Sequence, residues 1–408
     1  MPSHRQAEPA PPQATRRVLI FEPDAEGHAH EWLQHLIHFV ANGDAGVEIW
    51  ILVPERLRSA LAETISTDCA RLIALTAAEE RFCATRLLTV SAFARWWVVR
   101  RHLRRIQADR GFFLMLDLLS LPLALGLGAA GARLSGILFR PSVHYREIGP
   151  YRPSLAERLR DLRKALLYRL MLRNPSLDRV FSLDPFFPAY ARTHYRLGEK
   201  VLALPDPVHP LVGESASDDA GDFTPAGRVG FLLFGYLTER KGPLAVLDAL
   251  DLVPPEIAAR LAILFAGRID PALRDRLQER RRILAARHPD LWLRFVDRRL
   301  EDAELASLVR RSDVILAPYQ RFVGSSGVLL WAAQNGRPVL AQEYGLVGRL
   351  TREHRLGMSV DAGDPARLAA AITHMVRSGP SSFIDRSAAS RFAATQTPQR
   401  FASLVLSV

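Results

Sequence analysis

The chain has 408 residues, 48% of them hydrophobic, 24% charged and 8% aromatic, with a net charge of +11. This composition excludes a disordered, collagenous or disulfide-stapled protein for the bulk of the chain, and the length suits two domains. The two cysteines, Cys69 and Cys83, fit a reducing compartment such as the cytoplasm, with no disulfide framework. Lysine occurs only at 164, 200 and 241, so 51 of the 54 basic residues are arginine, a skew that reflects codon usage as much as selection for charge. A basic surface attracts nucleic acid, anionic lipid or phosphorylated substrates. No recognised nucleic-acid-binding motif accompanies the charge, so nucleic acid is not expected as a partner.

Residues 1–15 carry Pro, Ala and polar side chains without an apolar h-region, and read as a disordered lead-in rather than a signal peptide. A first strand is predicted over 17–22, closed by Pro23. Trp32, Leu33, Leu36, Ile37 and Val40 predict a helix over 29–40, and Val47–Val53, ended by Pro54, is the next strand. Helical material to Thr67 and a strand over 71–75 continue a β-α-β rhythm, which argues for a parallel sheet covered by helices. Phe93, Trp96, Val99, Leu103 and Ile106 line one side of a helix whose other side carries Arg95, Arg101, Arg104 and Arg105. That pattern suits a solvated face on a core helix, or peripheral contact with an anionic membrane.

Phe112 to Ala132 is a stretch of 21 residues with Asp117 as its single charge, long enough to cross a bilayer. Pro122, three glycines and the carboxylate favour instead a strand ending at Asp117 and a short buried helix. A strand over 135–139 leads to Pro141 and His144. Ser154 and Glu157 form a capping box that opens a long helix with Leu155, Leu159, Leu162 and Leu166 on one stripe. Short strands over 178–183 and 200–204 follow. Gly213 to Gly227, rich in Ser, Asp, Gly and Pro, is the clearest linker. The β-α pattern restarts at Val229–Phe234, with further strands over 261–265, 293–296, 314–317 and 338–341. The expected organisation is two Rossmann-like α/β halves, 16–205 and 229–379, joined by 206–228, with a helical segment 380–408 packing back on the first.

Three constellations carry chemistry. Gly235 to Pro243 (GYLTERKGP) joins a strand to a helix and would aim backbone N–H groups, with Arg240 and Lys241, at an anion above the sheet. Gly324-Ser325-Ser326-Gly327 opens a helix that ends at Gly336, with Ser as a cap and glycines that let a phosphate approach. Each is also readable as an ordinary capped loop. Glu26-Gly27-His28 follows the first strand, where His28 could act as general base on a hydroxyl, oriented by Asp117. His144 is the second candidate on that acceptor side. No metal-ligand spacing, Walker loop or GxGxxG motif occurs, so no metal or other cofactor is expected.

The blocks GYLTERKG, ILFAGRID, SDVILAPY and GSSGVLLWAAQNGRPVLA, across 235–365, resemble the second domain of the group 1 glycosyltransferases. HYRE, DRVFSLD and EKVLALPDPV are similar to that family's elements before the linker. The resemblance implies a GT-B architecture, two Rossmann-like parallel-sheet domains facing a central cleft. It further implies a nucleotide-sugar donor held mainly by Gly235, Arg240, Lys241, Arg268 and the Gly324–Gly327 loop, and a hydroxyl acceptor (glycan, lipid or small molecule) held by the first domain. Gly27-His28 is similar to the Gly-His element of inverting members, and Asp117 to the acid that supports it. Two positions depart from the family: Tyr236 stands where an arginine is usual, and the paired glutamates fall on Val323 and Trp331. Sugar transfer in cell-surface glycan or glycolipid synthesis is therefore the expected function. A catalytically inactive protein of the same fold, binding an anionic nucleotide or glycan, is the alternative.

Overall fold

A computed structural model describes residues 16–24, 29–43, 46–64, 70–139, 141–207 and 224–407. Most of the linker, as well as Gly27 and His28, lies outside these described residues. The chain divides into two compact units, one of residues 1–139, 165–204 and 402–408, the other of 140–164 and 205–401.

The first unit alternates β1 (Arg16–Phe21), α1 (Ala29–Ala41), β2 (Val47–Val53), α2 (Glu55–Thr64), β3 (Ala70–Ala74), α3 (Ala77–Cys83), α4 (Leu88–Ile106), β4 (Arg110–Phe113), α5 (Ser120–Ala124) and β5 (Arg133–Leu138). Helix α6 (Leu155–Met171), whose first ten residues belong to the other unit, precedes β6 (Leu177–Ser182), α7 (Phe187–His194) and β7 (Val201–Ala203). All seven strands are parallel, in the order β3-β2-β1-β4-β5-β6-β7. Val18–Phe21 and Ile51–Val53 are buried continuously rather than in alternation, as strands covered on both faces must be.

One detail corrects the sequence reading, and two decide between its alternatives. The β4 strand stops at Phe113, and Asp117 lies in a 3-10 turn over Leu116–Leu119, not at a strand end. Tertiary contacts hold this turn: the Asp117 carboxylate accepts hydrogen bonds from Phe139 N (2.8 Å) and the Tyr168 hydroxyl (3.3 Å). The apolar stretch 112–132 is thus strand, turn and short helix. Among the described residues, no helix is long and apolar enough to cross a membrane. In α4, Trp96, Val99, Leu103 and Ile106 are buried, so most of the stripe read as a candidate lipid face is the core face.

The second unit contains β8 (Val229–Phe234), α8 (Pro243–Leu250), α9 (Pro255–Ala258), β9 (Leu261–Ala266), α10 (Arg274–Arg287), β10 (Trp292–Val296), α11 (Asp302–Arg311) and β11 (Val314–Ala317). It continues through α12 (Val328–Gln334), β12 (Val339–Gln342), α13 (Gly345–Glu353), β13 (Gly357–Val360), α14 (Pro365–Ser378) and α15 (Arg386–Ala394). A last helix, α16 (Pro398–Leu406), has its residues 402–406 in the first unit. Its six parallel strands run β10-β9-β8-β11-β12-β13. Phe231, Leu233, Phe265, Val246, Leu250 and Ile372 form part of one buried cluster between the sheet and helices α8 and α14.

Candidate functional site

Open parallel sheets bind ligands beyond the carboxyl ends of the strands, where the strand order reverses. In the second sheet that point lies between β8 and β11. The connections leaving those strands, 235–242 and 318–327, are the two loops that the sequence singled out.

Their geometry depends on two glycines. Gly235 has φ +97°, and a Cβ there would stand 3.3 Å from Lys241 Nζ. Gly242 has φ +76°, and a Cβ there would come within 2.2 Å of the Pro318 carbonyl oxygen. Only glycine accepts this backbone at this distance. The close approach joins the two loops, and Gln320 N donates to Arg240 O at 2.8 Å.

Lys241 ends the 3-10 turn Glu239–Lys241 and is half-buried. Its ammonium donates to Phe234 O (3.2 Å) and to Tyr319 Oη (3.1 Å), which in turn bonds Ser326 Oγ (2.7 Å). A chain Lys241–Tyr319–Ser326 therefore bridges the switch point. An ammonium has three donors; none of the partners described for Lys241 is a carboxylate, so its charge is available to an anion.

The other donor-side residues surround this chain less tightly. The Arg240 guanidinium lies 4.5 Å over the Phe322 ring and that of Arg268 5.2 Å over Tyr236. Tyr236, where the family usually carries arginine, thus holds an arginine beside the crevice through a cation–π contact. Gly324 is buried, whereas Ser325, Ser326 and Gly327 are half-buried. Gly327, rather than a serine, occupies the N-cap of α12, and Ser326 Oγ reaches Val328 N only at 3.4 Å because it is committed to Tyr319. At the family's glutamate positions, Trp331 packs edge-on against Phe234 and Val323 O accepts from Leu346 N.

The Ser154–Glu157 capping box read from the sequence belongs to a wider network that the sequence did not show. Glu157 accepts from Arg321 (2.9 Å), the Tyr151 hydroxyl (2.7 Å) and Ser154 N (2.7 Å), and Arg321 N donates to the Tyr344 hydroxyl (2.5 Å). Burial alone would raise the Glu157 carboxyl, but these donors together hold it down at about 2. Tyr319 was missed as well. It lies at the end of a buried strand, and no sequence period distinguishes it from a core aromatic.

On the first unit, the sequence-assigned His28 and Gly27 lie outside the described residues. Asp117 has Phe139 N and the Tyr168 hydroxyl among its partners. His144, expected in the first domain, falls instead in the second unit; it lies in the 3-10 turn Ser142–His144 and is buried, its ring 4.9 Å from that of Tyr145. A residue that was not singled out, Glu22, sits buried just past β1, accepting from Asp24 N (2.9 Å), while Asp24 pairs with Arg95 at 3.2 Å. Burial pushes its carboxyl up to about 8. A folded-state value above the ordinary 4.5 means that the folded protein holds this proton more tightly. That stabilisation is complete below about pH 4.5 and declines as pH rises toward 8, by at most about 1.4 kcal/mol per pH unit. Glu22→Gln should flatten the fall in melting temperature between pH 5 and 8. Equal slopes for the two proteins would show that Glu22 ionises normally.

Comparison with known proteins agrees with this geometry. Residues 228–378 match the family Glycosyl transferases group 1. Phosphatidyl-myo-inositol mannosyltransferase of Mycobacterium leprae is 31% identical over 181 residues, 44% of this chain and 46% of that protein, so the chain spans about half the length of this relative. Among solved structures, sucrose-phosphate synthase from Thermosynechococcus elongatus superposes with a TM-score of 0.66 at 18% identity, covering 96% of each chain. Anabaena HepE, solved in complex with UDP and glucose, gives 0.61 at 15% identity, covering 96% of this chain and 97% of its own. The two parallel sheets and these likenesses establish the GT-B architecture.

Proposed function

We propose, from the membership of residues 228–378 in the group 1 glycosyltransferases, that this chain moves a sugar from a nucleotide-sugar donor to a hydroxyl acceptor. The observation that carries the reading is the Lys241–Tyr319–Ser326 chain at the switch point of the second sheet. In the transfer, the bond between the anomeric carbon and the donor diphosphate breaks and its electron pair leaves with the phosphate. The acceptor oxygen bonds to that carbon and gives up its proton. Lys241 supplies a point charge to the leaving diphosphate, Arg240 and Arg268 supply further cations, and backbone N–H groups around Gly324–Gly327 supply oriented donors. This neutralisation by side chains needs no metal ion. His28 takes the acceptor proton, which makes the proposed route inverting, with Gly27 and His144 on the acceptor side.

The relative from M. leprae acts, by its name, on a phosphatidyl-inositol acceptor, and the HepE complexes hold UDP. The UDP complexes favour a nucleotide-sugar donor here, and the mannosyltransferase favours an acceptor in cell-surface glycan or glycolipid synthesis. The cytoplasm is the proposed compartment. A thermal-shift panel of nucleoside diphosphates and their sugars tests the donor site. At about 100 times its Kd a ligand stabilises its domain by roughly 2.7 kcal/mol, so a rise of several degrees is expected for at least one compound. A flat panel would remove the transferase reading.

A further inference from the structure

Helix α6 carries an apolar face that no described residue covers. Leu155, Leu159, Leu162 and Leu166 are 76%, 69%, 69% and 57% exposed. Their 4-3-4 spacing puts them on one line about 16 Å long at 1.5 Å per residue. Single exposed leucines are ordinary, but four in a row call for an occupant.

The helix has sorted its charges. Both of its acids are turned inward: Glu157 is held by Tyr151, Ser154 and Arg321, and Asp161 accepts from the Ser142 hydroxyl at 2.6 Å. Tyr168 and Met171 on the same inner side are buried. The outer side keeps the leucines, flanked by exposed Arg158 and Arg169 on one edge and Arg163 on the other.

This charge pattern selects between two occupants. A second copy would pair the leucines as an a/d seam. In the parallel arrangement that places Arg158 against the other copy's Arg163, continues the seam into Arg169, and leaves no acid to offset the repulsion. An anionic lipid surface instead offers acyl chains to the leucines and phosphate to all three arginines. The net charge of +11 adds long-range attraction of the same sign. We propose that α6 lies on the surface of an anionic membrane, leucines in the acyl boundary and arginines at the headgroups, and that this binding is independent of sugar transfer. Membrane contact thus moves from α4, whose apolar stripe is mostly buried, to α6.

Vesicle co-sedimentation of the whole chain tests the proposal, with phosphatidylcholine vesicles with and without phosphatidylglycerol. The wild type should bind the anionic vesicles, bind the neutral ones far more weakly, and be released by high salt. Leu159→Gln with Leu162→Gln should weaken binding by at least about tenfold, and Arg158→Gln with Arg163→Gln should do the same on anionic vesicles. Because these side chains are exposed, melting temperatures should stay near wild type; should the first pair fail to fold, Leu155→Gln with Leu166→Gln probes the same face. The proposal fails if the wild type ignores anionic vesicles or if either type of variant binds like the wild type. It also fails if light scattering shows a wild-type dimer that the leucine variants make monomeric, which would assign the face to a second copy.

Discussion

Replacing Lys241 with alanine should erase most of the thermal stabilisation that a nucleoside diphosphate gives the wild-type protein. Hydrogen bonds to charged groups contribute about 1.5–3 kcal/mol each, against a total ligand stabilisation of roughly 2.7 kcal/mol at about 100 times Kd. Removing one such contact therefore consumes most of the effect. Without ligand the cost should be small, about 1 kcal/mol. The Phe234 carbonyl and the Tyr319 hydroxyl each lose their Lys241 donor, but Tyr319 keeps its bond to Ser326. Ser326→Ala should weaken the ligand shift less, since backbone donors remain, although it also removes the partner that fixes Tyr319. A Lys241→Ala protein whose ligand shift equals that of the wild type would move the diphosphate away from the switch point.

His28→Ala should lower turnover by about 10²–10⁴-fold while leaving donor binding intact, the range expected for loss of a general base. The proposal rests on the sequence, in which His28 follows β1 and precedes α1. The structure alters the companion expectation for Asp117. Its carboxylate accepts from Phe139 N and the Tyr168 hydroxyl, so Asp117→Asn should lower the melting temperature as well as activity. A His28→Ala enzyme with near wild-type turnover would remove the proposed base.

The sheets were legible because buried parallel strands read as short apolar runs closed by Pro or Gly. Val47–Val53, Val229–Phe234 and Val314–Ala317 have the expected boundaries. The β13 strand, Gly357–Val360, did not read this way, being an edge strand of four half-buried residues with no alternation. Helix faces were the weakest inference. A period of 3.6 marks a stripe but does not say what covers it: the α4 stripe is mostly buried, whereas the α6 stripe faces solvent. The donor loops were visible as glycine-rich strand-to-helix connections. Their link through Tyr319, and the Glu157–Arg321 pair 164 positions apart, arise only from tertiary contact.

The most direct test of the central claim is release of nucleoside diphosphate from a panel of nucleotide sugars by the whole wild-type chain, with and without hydroxyl acceptors. The account predicts release for at least one donor, accelerated by an acceptor, with the sugar recovered on the acceptor oxygen. Saturable binding of a nucleoside diphosphate with no turnover of any donor would contradict it, and would leave a protein of this fold that binds nucleotide without transferring sugar.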